Sequence, residues 1–89
     1  MPPERKSEPS NPNMAALSEA IALHRKEKGM SLKAVSDGCD LNYEHLNELA
    51  RGQGNPTFDT LMKLCDGLDT PIGELMMSVQ RIRGERAGD

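Results

Sequence analysis

The stretch SLKAVSDGCDLNYEHLNELARGQGNP (Ser31–Pro56) predicts two short helices joined by a tight turn. Ser31 and Asn42 favour the position just before a helix, because their side-chain oxygens accept a hydrogen bond from the first turn. Between the two helices, "DGCD" supplies Gly38, which is free to adopt positive φ, and Asp40, which tolerates it. The sequence "RGQGNP" ends the second helix. We therefore expect two helices in close succession.

Helical spacing continues on both sides of this stretch, and no segment alternates like a β-strand. Asn13 is expected to cap a first helix, whose apolar stripe includes Met14 and Ile21. Thr57 is expected to cap a fourth helix, and Pro71 to open a fifth, because proline at the first helical position gives up only an unused amide. The chain is therefore predicted to be all-α, with five short helices.

The composition divides the chain into three parts. Residues 1–13, "MPPERKSEPSNPN", hold four of the six prolines and show no apolar period, so a disordered, flexible arm is expected. Residues 14–79 form the predicted compact five-helix domain, and residues 80–89 a polar C-terminal tail. A chain of 89 residues has room for one small domain.

The charge balance is unusual for a protein that would bind nucleic acid without regard to sequence. The net charge is −3 and the isoelectric point about 5.3. Residues 14–79 alone hold ten Asp or Glu and six Lys or Arg, so the acidity lies in the domain. A non-specific binder of DNA is expected to be clearly basic.

The cysteines and histidines do not suggest a reactive or metal-binding site. Cys39 and Cys65 lack the spacing of a zinc site, and His45 has no serine or cysteine nucleophile placed to work with it. No apolar run has the length of a signal peptide or a membrane span, so a cytoplasmic protein is expected. We expect no enzyme, metal, cofactor, membrane contact or small-molecule ligand.

The order of side chains within and around Ser31–Pro56 follows a known arrangement. Ser31 opens the first helix, Asn42 caps the second, and Gly52 and Pro56 precede a helix that contains "TLMKL" from Thr60 to Leu64. From Leu17 to Met76 this order resembles the lambda-repressor-like, Cro-type (XRE-like) helix-turn-helix family. The resemblance implies a compact five-helix domain that binds double-stranded DNA and regulates transcription.

The resemblance also implies which residues would meet DNA. The second helix of the motif, about Asn42 to Arg51, would lie in the major groove and read a specific base sequence. Its base-reading candidates are Tyr43, Glu44, Asn47 and Glu48. The candidates for phosphate contact are Lys33, Asn42, Arg51, Gln53 and Asn55.

Three positions depart from the family pattern. Leu32 stands where the family usually has Gln, Asp40 where it has Gly in the turn, and Ala50 where it has Glu. In the family that Glu often pairs with an Arg on the first helix, here Arg25. Arg25 is therefore expected either to find another carboxylate or to be available for a DNA phosphate.

The sequence also predicts a dimer contact and leaves open one alternative function. An apolar stripe runs along the fifth helix past the end of the resemblance, and a homodimer contact is expected at Met76, Val79 and Ile82. The alternative function is a protein-interaction module that keeps the same fold and binds a basic protein partner with its acidic face.

Overall fold

The computed structural model describes residues 9–87, and this range contains five helices and no strand. The predicted all-α, five-helix fold is therefore confirmed. The helices are α1 (Pro12–Glu27), α2 (Leu32–Asp37), α3 (Tyr43–Ala50), α4 (Phe58–Leu68) and α5 (Ile72–Ala87). None of them is long and apolar enough to cross a membrane.

The first four helices begin at side chains that accept a hydrogen bond from their own first turn. Ser31, Asn42 and Thr57 cap α2, α3 and α4, as the sequence predicts. The prediction for α1 was wrong by two residues. Its cap is Asn11, whose Oδ1 accepts from the amide of Met14 at 2.9 Å. The reason is Pro12, which has no amide hydrogen and so suits the first helical position.

The turn between α2 and α3 needs no left-handed residue. Gly38 ends α2 at φ −89°, contrary to the expectation of positive φ. Asp40 is not left-handed either, because Asp69, at the end of α4, is the one non-glycine residue of positive φ in residues 9–87. The Asp in place of the family's Gly therefore imposes no strain on this turn.

A single aliphatic core joins all five helices. Its fully buried side chains are Ile21, Val35, Leu46, Leu49, Leu64, Leu68 and Leu75. Burial of this kind contributes about 1.5–3 kcal/mol per large side chain relative to exposure. The core therefore fixes α3 against the rest of the domain through Leu46 and Leu49.

The long helices α1 and α5 pack side by side in opposite directions. The ring of His24 is hydrogen-bonded to the hydroxyl of Ser78 at 2.8 Å, and Arg86 pairs with Glu19 nearer the start of α1. These contacts support α5 as far as Ala87. Residues 12 and 13, predicted to be part of the arm, lie in α1, and residues 80–87, predicted to be part of the tail, lie in α5. Residues 1–8 of the arm lie outside the described range.

The three dimer candidates on α5 are only partly available to a second chain. Met76, Val79 and Ile82 are half-buried and pack against the core of their own domain. Met77 lies between them in sequence but points elsewhere, with 64% of its surface exposed. The dimer contact remains a prediction.

Candidate nucleic-acid interface

Helix α3 has one buried face and one polar, solvent-facing side. Residues three or four apart share a face of a helix, so Tyr43 and Asn47 are neighbours, and so are Glu44 and Glu48. Tyr43 is 45% exposed, the two glutamates are exposed, and Asn47 is half-buried. We call these four residues the reading face. The structure therefore places all four base-reading candidates together.

The reading face carries two carboxylates, Glu44 and Glu48. Within residues 9–87, neither Glu44 nor Glu48 forms an ion pair. Glu44 lies in the first turn of α3, where the partial positive charge of the helix start favours a carboxylate. The chemistry at this face is therefore that of hydrogen-bond acceptors, with the amide of Asn47 as a mixed donor and acceptor.

Arg51 supplies a positive charge beside the reading face. It follows the last residue of α3 and lies on the side of Glu44, Asn47 and Glu48 by helical spacing. Its Nη2 donates to Oε1 of Gln53 at 3.4 Å, so two of the phosphate candidates contact each other. A guanidinium donates strong, charge-assisted hydrogen bonds to phosphate oxygens, which is the chemistry expected of a phosphate-contact candidate.

The other phosphate candidates differ in the contacts that they already make. Lys33 is paired with Asp37 one turn along α2, with 3.0 Å between Nζ and Oδ1. Asn42 uses its Oδ1 to accept from the amide of His45 at 2.7 Å, so its Nδ2 is the group that remains for a phosphate. Asn55 is exposed in the loop after α3.

Sequence reasoning did not identify Lys63 as part of this neighbourhood. This residue lies on α4, and its Nζ is 3.3 Å from Asp59 and 4.0 Å from Asp40, which belongs to the α2–α3 turn. The spacing of Lys63 and Asp59 along one helix was a signal for the first pair. The approach of Asp40 depends on the tertiary fold.

Close packing holds α2 in place relative to α4. Gly67 lies so near α2 that a Cβ added to it would be 2.5 Å from the carbonyl oxygen of Val35 and 2.9 Å from Sγ of Cys39. Only a residue without a side chain allows this approach. Gly67 thereby fixes the position of α2, the first helix of the motif, and it was not recognised from the sequence.

The departures from the family pattern have structural counterparts. Leu32 is half-buried and packs against the core, so its side chain serves packing and offers no hydrogen bond to a phosphate. Within residues 9–87 the half-buried Arg25 has no carboxylate partner. Its Nη1 donates to the carbonyl of Met30 at 3.0 Å and braces the α1–α2 connection. The carbonyl of Ala50 accepts from the hydroxyl of Ser18, which joins α3 to α1.

The cysteines belong to the packing of this region. Cys65 is buried and Cys39 half-buried, and burial raises the pKa of both thiols. A raised pKa lowers the thiolate fraction, so neither thiol is activated as a nucleophile. The residues from 9 to 87 contain no group of three potential metal ligands.

The sequence matches a family profile and a characterised relative. The sequence profile of the helix-turn-helix family matches residues 21–75. The chain is 28% identical over 72 residues to the HTH-type transcriptional regulator DdrOP3 of Deinococcus deserti. That match covers 81% of this chain and 56% of the relative, so the chain spans little more than half of the relative's length.

Solved structures share the arrangement of helices. The clp gene regulator ClgR from Corynebacterium glutamicum has a TM-score of 0.79 at 21% identity, over 90% of this chain and 85% of that one. The restriction-modification controller protein C.Esp1396I has a TM-score of 0.72 at 20% identity, over 79% of this chain and 91% of that one. At these identities the likeness establishes the fold.

Proposed function

Because this chain belongs to the helix-turn-helix family, we propose that it is a transcription regulator that binds double-stranded DNA at a specific sequence. The observation that carries the proposal is the reading face, where three exposed side chains and the half-buried Asn47 lie on the second helix of the motif. A helix with this placement fits the major groove, and its first residues meet base edges.

The reading face is suited to recognition of particular bases. A carboxylate at Glu44 or Glu48 can accept a hydrogen bond from cytosine N4, and the amide of Asn47 can pair with adenine. The ring of Tyr43 can contact a thymine methyl group. Arg51, Gln53 and the exposed loop residue Asn55 would hold the backbone.

We propose that the regulator acts as a cytoplasmic homodimer. The acidic domain has little general attraction for DNA, so tight binding requires a second copy on the same operator. The partly exposed stripe of Met76, Val79 and Ile82 on α5 is the proposed contact. This stripe lies on a different helix from the reading face.

A selection of binding sites from random duplexes tests the proposal. The wild type should enrich one sequence, and Glu44→Gln and Glu48→Gln should each change the preferred base at one position. The expected change is about 1–3 kcal/mol, because an amide does not reproduce a double acceptor facing a cytosine amine. Glu74→Gln on α5 removes the same charge far from α3 in sequence and should leave the preferred site unchanged.

Two other outcomes would point elsewhere. Equal gains of affinity for every duplex, larger at low salt, would mean that the glutamates only repel the backbone. No enriched site for the wild type, at any salt concentration where the protein is folded, would contradict the proposal.

The second candidate function is a module that binds a basic protein partner with its acidic face. Lys33 and Lys63 favour it, because neighbouring carboxylates offset the positive charge that each would present to a DNA phosphate. On this reading the substitutions at Glu44 and Glu48 would not affect DNA and would weaken binding to the basic partner.

A further inference from the structure

The segment before α1 lies across the loop that follows α3. The amide of Ser10 donates to the carbonyl of Gly52 at 2.8 Å, and the hydroxyl Oγ of Ser10 accepts from the amide of Gly54 at 3.2 Å. Pro9 completes the contact, since its Cβ is 3.0 Å from the point where a Cβ of Gly52 would stand. We call this pair of hydrogen bonds the Ser10 clasp.

The loop depends on contacts of this kind for its shape. Gly52 and Gly54 adopt φ values of +79° and +87°, which glycine reaches at no steric cost but also leaves easily. The loop's first amides are bonded back to α3: Gly52 donates to Leu49 at 3.0 Å and Gln53 to Glu48 at 2.9 Å. The next amide, that of Gly54, has its hydrogen bond with Ser10.

The clasp is itself well anchored. The residue after Ser10 is Asn11, which caps α1, and the carbonyl of Asn11 accepts from the amide of Ala15 at 3.0 Å. Ser10 therefore has a position fixed by the start of a 16-residue helix. It joins two parts of the chain that are 44 residues apart.

We propose that Ser10 is a positioning residue for DNA binding, which holds the loop of Gln53 and Asn55 in the shape that meets the DNA backbone. The proposal rests on the proposed function, because it assigns phosphate contact to that loop. A loop that is ordered before binding loses less conformational entropy when DNA orders it. Ser10 thus contributes to affinity through its effect on the loop, with no contact to DNA required of its own side chain.

Ser10→Ala removes the hydroxyl that accepts from the amide of Gly54 and keeps the backbone hydrogen bond from Ser10 to Gly52. We expect its affinity for DNA to fall about threefold to tenfold, the effect of one hydrogen bond. The fall should be the same for the selected site and for an unrelated duplex, and the preferred bases should not change, because phosphate contacts carry no sequence information. In the free protein, the amide of Gly54 should exchange with solvent faster.

Two further variants separate positioning from general stability. Ser10→Thr keeps a hydroxyl acceptor and should restore both the affinity and the slow exchange of Gly54. Asn13→Ala is the matched control, because it shortens another exposed side chain near the start of α1 that takes no part in the clasp. It should leave both measurements at the wild-type value.

The experiment is fluorescence anisotropy at several salt concentrations, with amide exchange of Gly54 followed by NMR. Faster exchange in Ser10→Ala with unchanged affinity would overturn the proposal and leave the proposed function intact. Lower affinity with unchanged exchange would also overturn it, since the effect would not pass through the loop. A wild type that binds no duplex would overturn both.

Discussion

Replacing Gly67 by alanine tests whether the close contact between α2 and α4 is needed for stability and for DNA binding. The new Cβ would lie 2.5 Å from the carbonyl oxygen of Val35, 3.0 Å from its Cγ1 and 2.9 Å from Sγ of Cys39. The nearest of these atoms belongs to the backbone of α2, so the clash is relieved only if α2 moves away from α4. Overpacking of a core costs about 1–3 kcal/mol, and a clash with backbone belongs at the upper end.

One effect works in the opposite direction. Gly67 lies inside α4, where alanine is a better helix former by about 1 kcal/mol. Subtracting this gain from a cost of about 3 kcal/mol leaves a net loss of about 2 kcal/mol in the free energy of unfolding. The domain should remain folded, because small domains have about 5–15 kcal/mol of stability.

The matched control is Gly84→Ala on α5, where an added Cβ has no atom within 4 Å. It should raise stability by about 0.5–1 kcal/mol, because only the helix preference changes. Urea unfolding followed by circular dichroism measures both variants. At a temperature where each is folded, Gly67→Ala should also bind DNA more weakly, since α2 has shifted relative to α3. A Gly67→Ala protein as stable as wild type would refute the packing argument.

Three further predictions concern phosphate contact, association and the thiols. Arg51→Ala should weaken binding to all duplexes alike and reduce the salt slope by about one unit, and a loss limited to one base variant would instead make Arg51 a base reader. Val79→Asp should lower the thermal stability and abolish dimer formation in sedimentation. Met77→Asp, at an exposed site on the same helix, is the control and should do neither. A wild-type protein that sediments as a monomer even on DNA would contradict the dimer. Cys39 and Cys65 should react slowly with iodoacetamide, and Cys65 the more slowly, because burial raises the pKa of both thiols. The stability that the buried neutral thiols contribute is present below pH about 8.5, the pKa of an unfolded thiol, and is lost as the pH rises through the folded pKa values. Urea unfolding with no loss of stability at alkaline pH would refute this linkage.

The fold was predictable because its signals are local. Caps at Ser31, Asn42 and Thr57 each act within one helical turn, and apolar spacing of three and four residues marks the buried faces. The start of α1 was misjudged where two asparagines flank a proline, and the preference of proline for the first helical position identifies Asn11 as the cap. Its signal was in the sequence.

The end of α5 and the α2–α3 turn could not be predicted in the same way. The sequence after Ile82 is polar, and the helix continues there beside α1, where Arg86 meets Glu19. Gly38 suggested positive φ, but a glycine also fits an ordinary helix end, where the structure has it. A single sequence does not distinguish these two uses of glycine.

The reading face was predictable as a set, since helical spacing brings its four residues together. The ion-pair partners of the charged residues were only partly predictable. Lys33 and Asp37 are one turn apart on one helix, but Lys63 meets Asp40 from a different element. The Ser10 clasp spans 44 residues and joins a serine to two glycines, and no sequence pattern marks that combination. Contacts between distant segments require the tertiary fold.

The acidic surroundings of α3 determine which kind of DNA binding this domain can support. Exposed pairs such as Lys33 with Asp37 contribute about 0.2–1 kcal/mol, so a phosphate can replace the carboxylate at small cost. The displaced carboxylate stays nearby and repels the backbone, which lowers the attraction to arbitrary DNA.

Glu44 and Glu48 add the same repulsion wherever no donor faces them. At a cytosine amine, however, the repulsive group becomes a hydrogen-bond acceptor. The free-energy difference between a correct and an incorrect site therefore includes both the bond gained and the repulsion left uncompensated. In the proposed homodimer, two copies on one operator would double this difference, so the proposed acidic reading face would give lower overall affinity and sharper discrimination between sites.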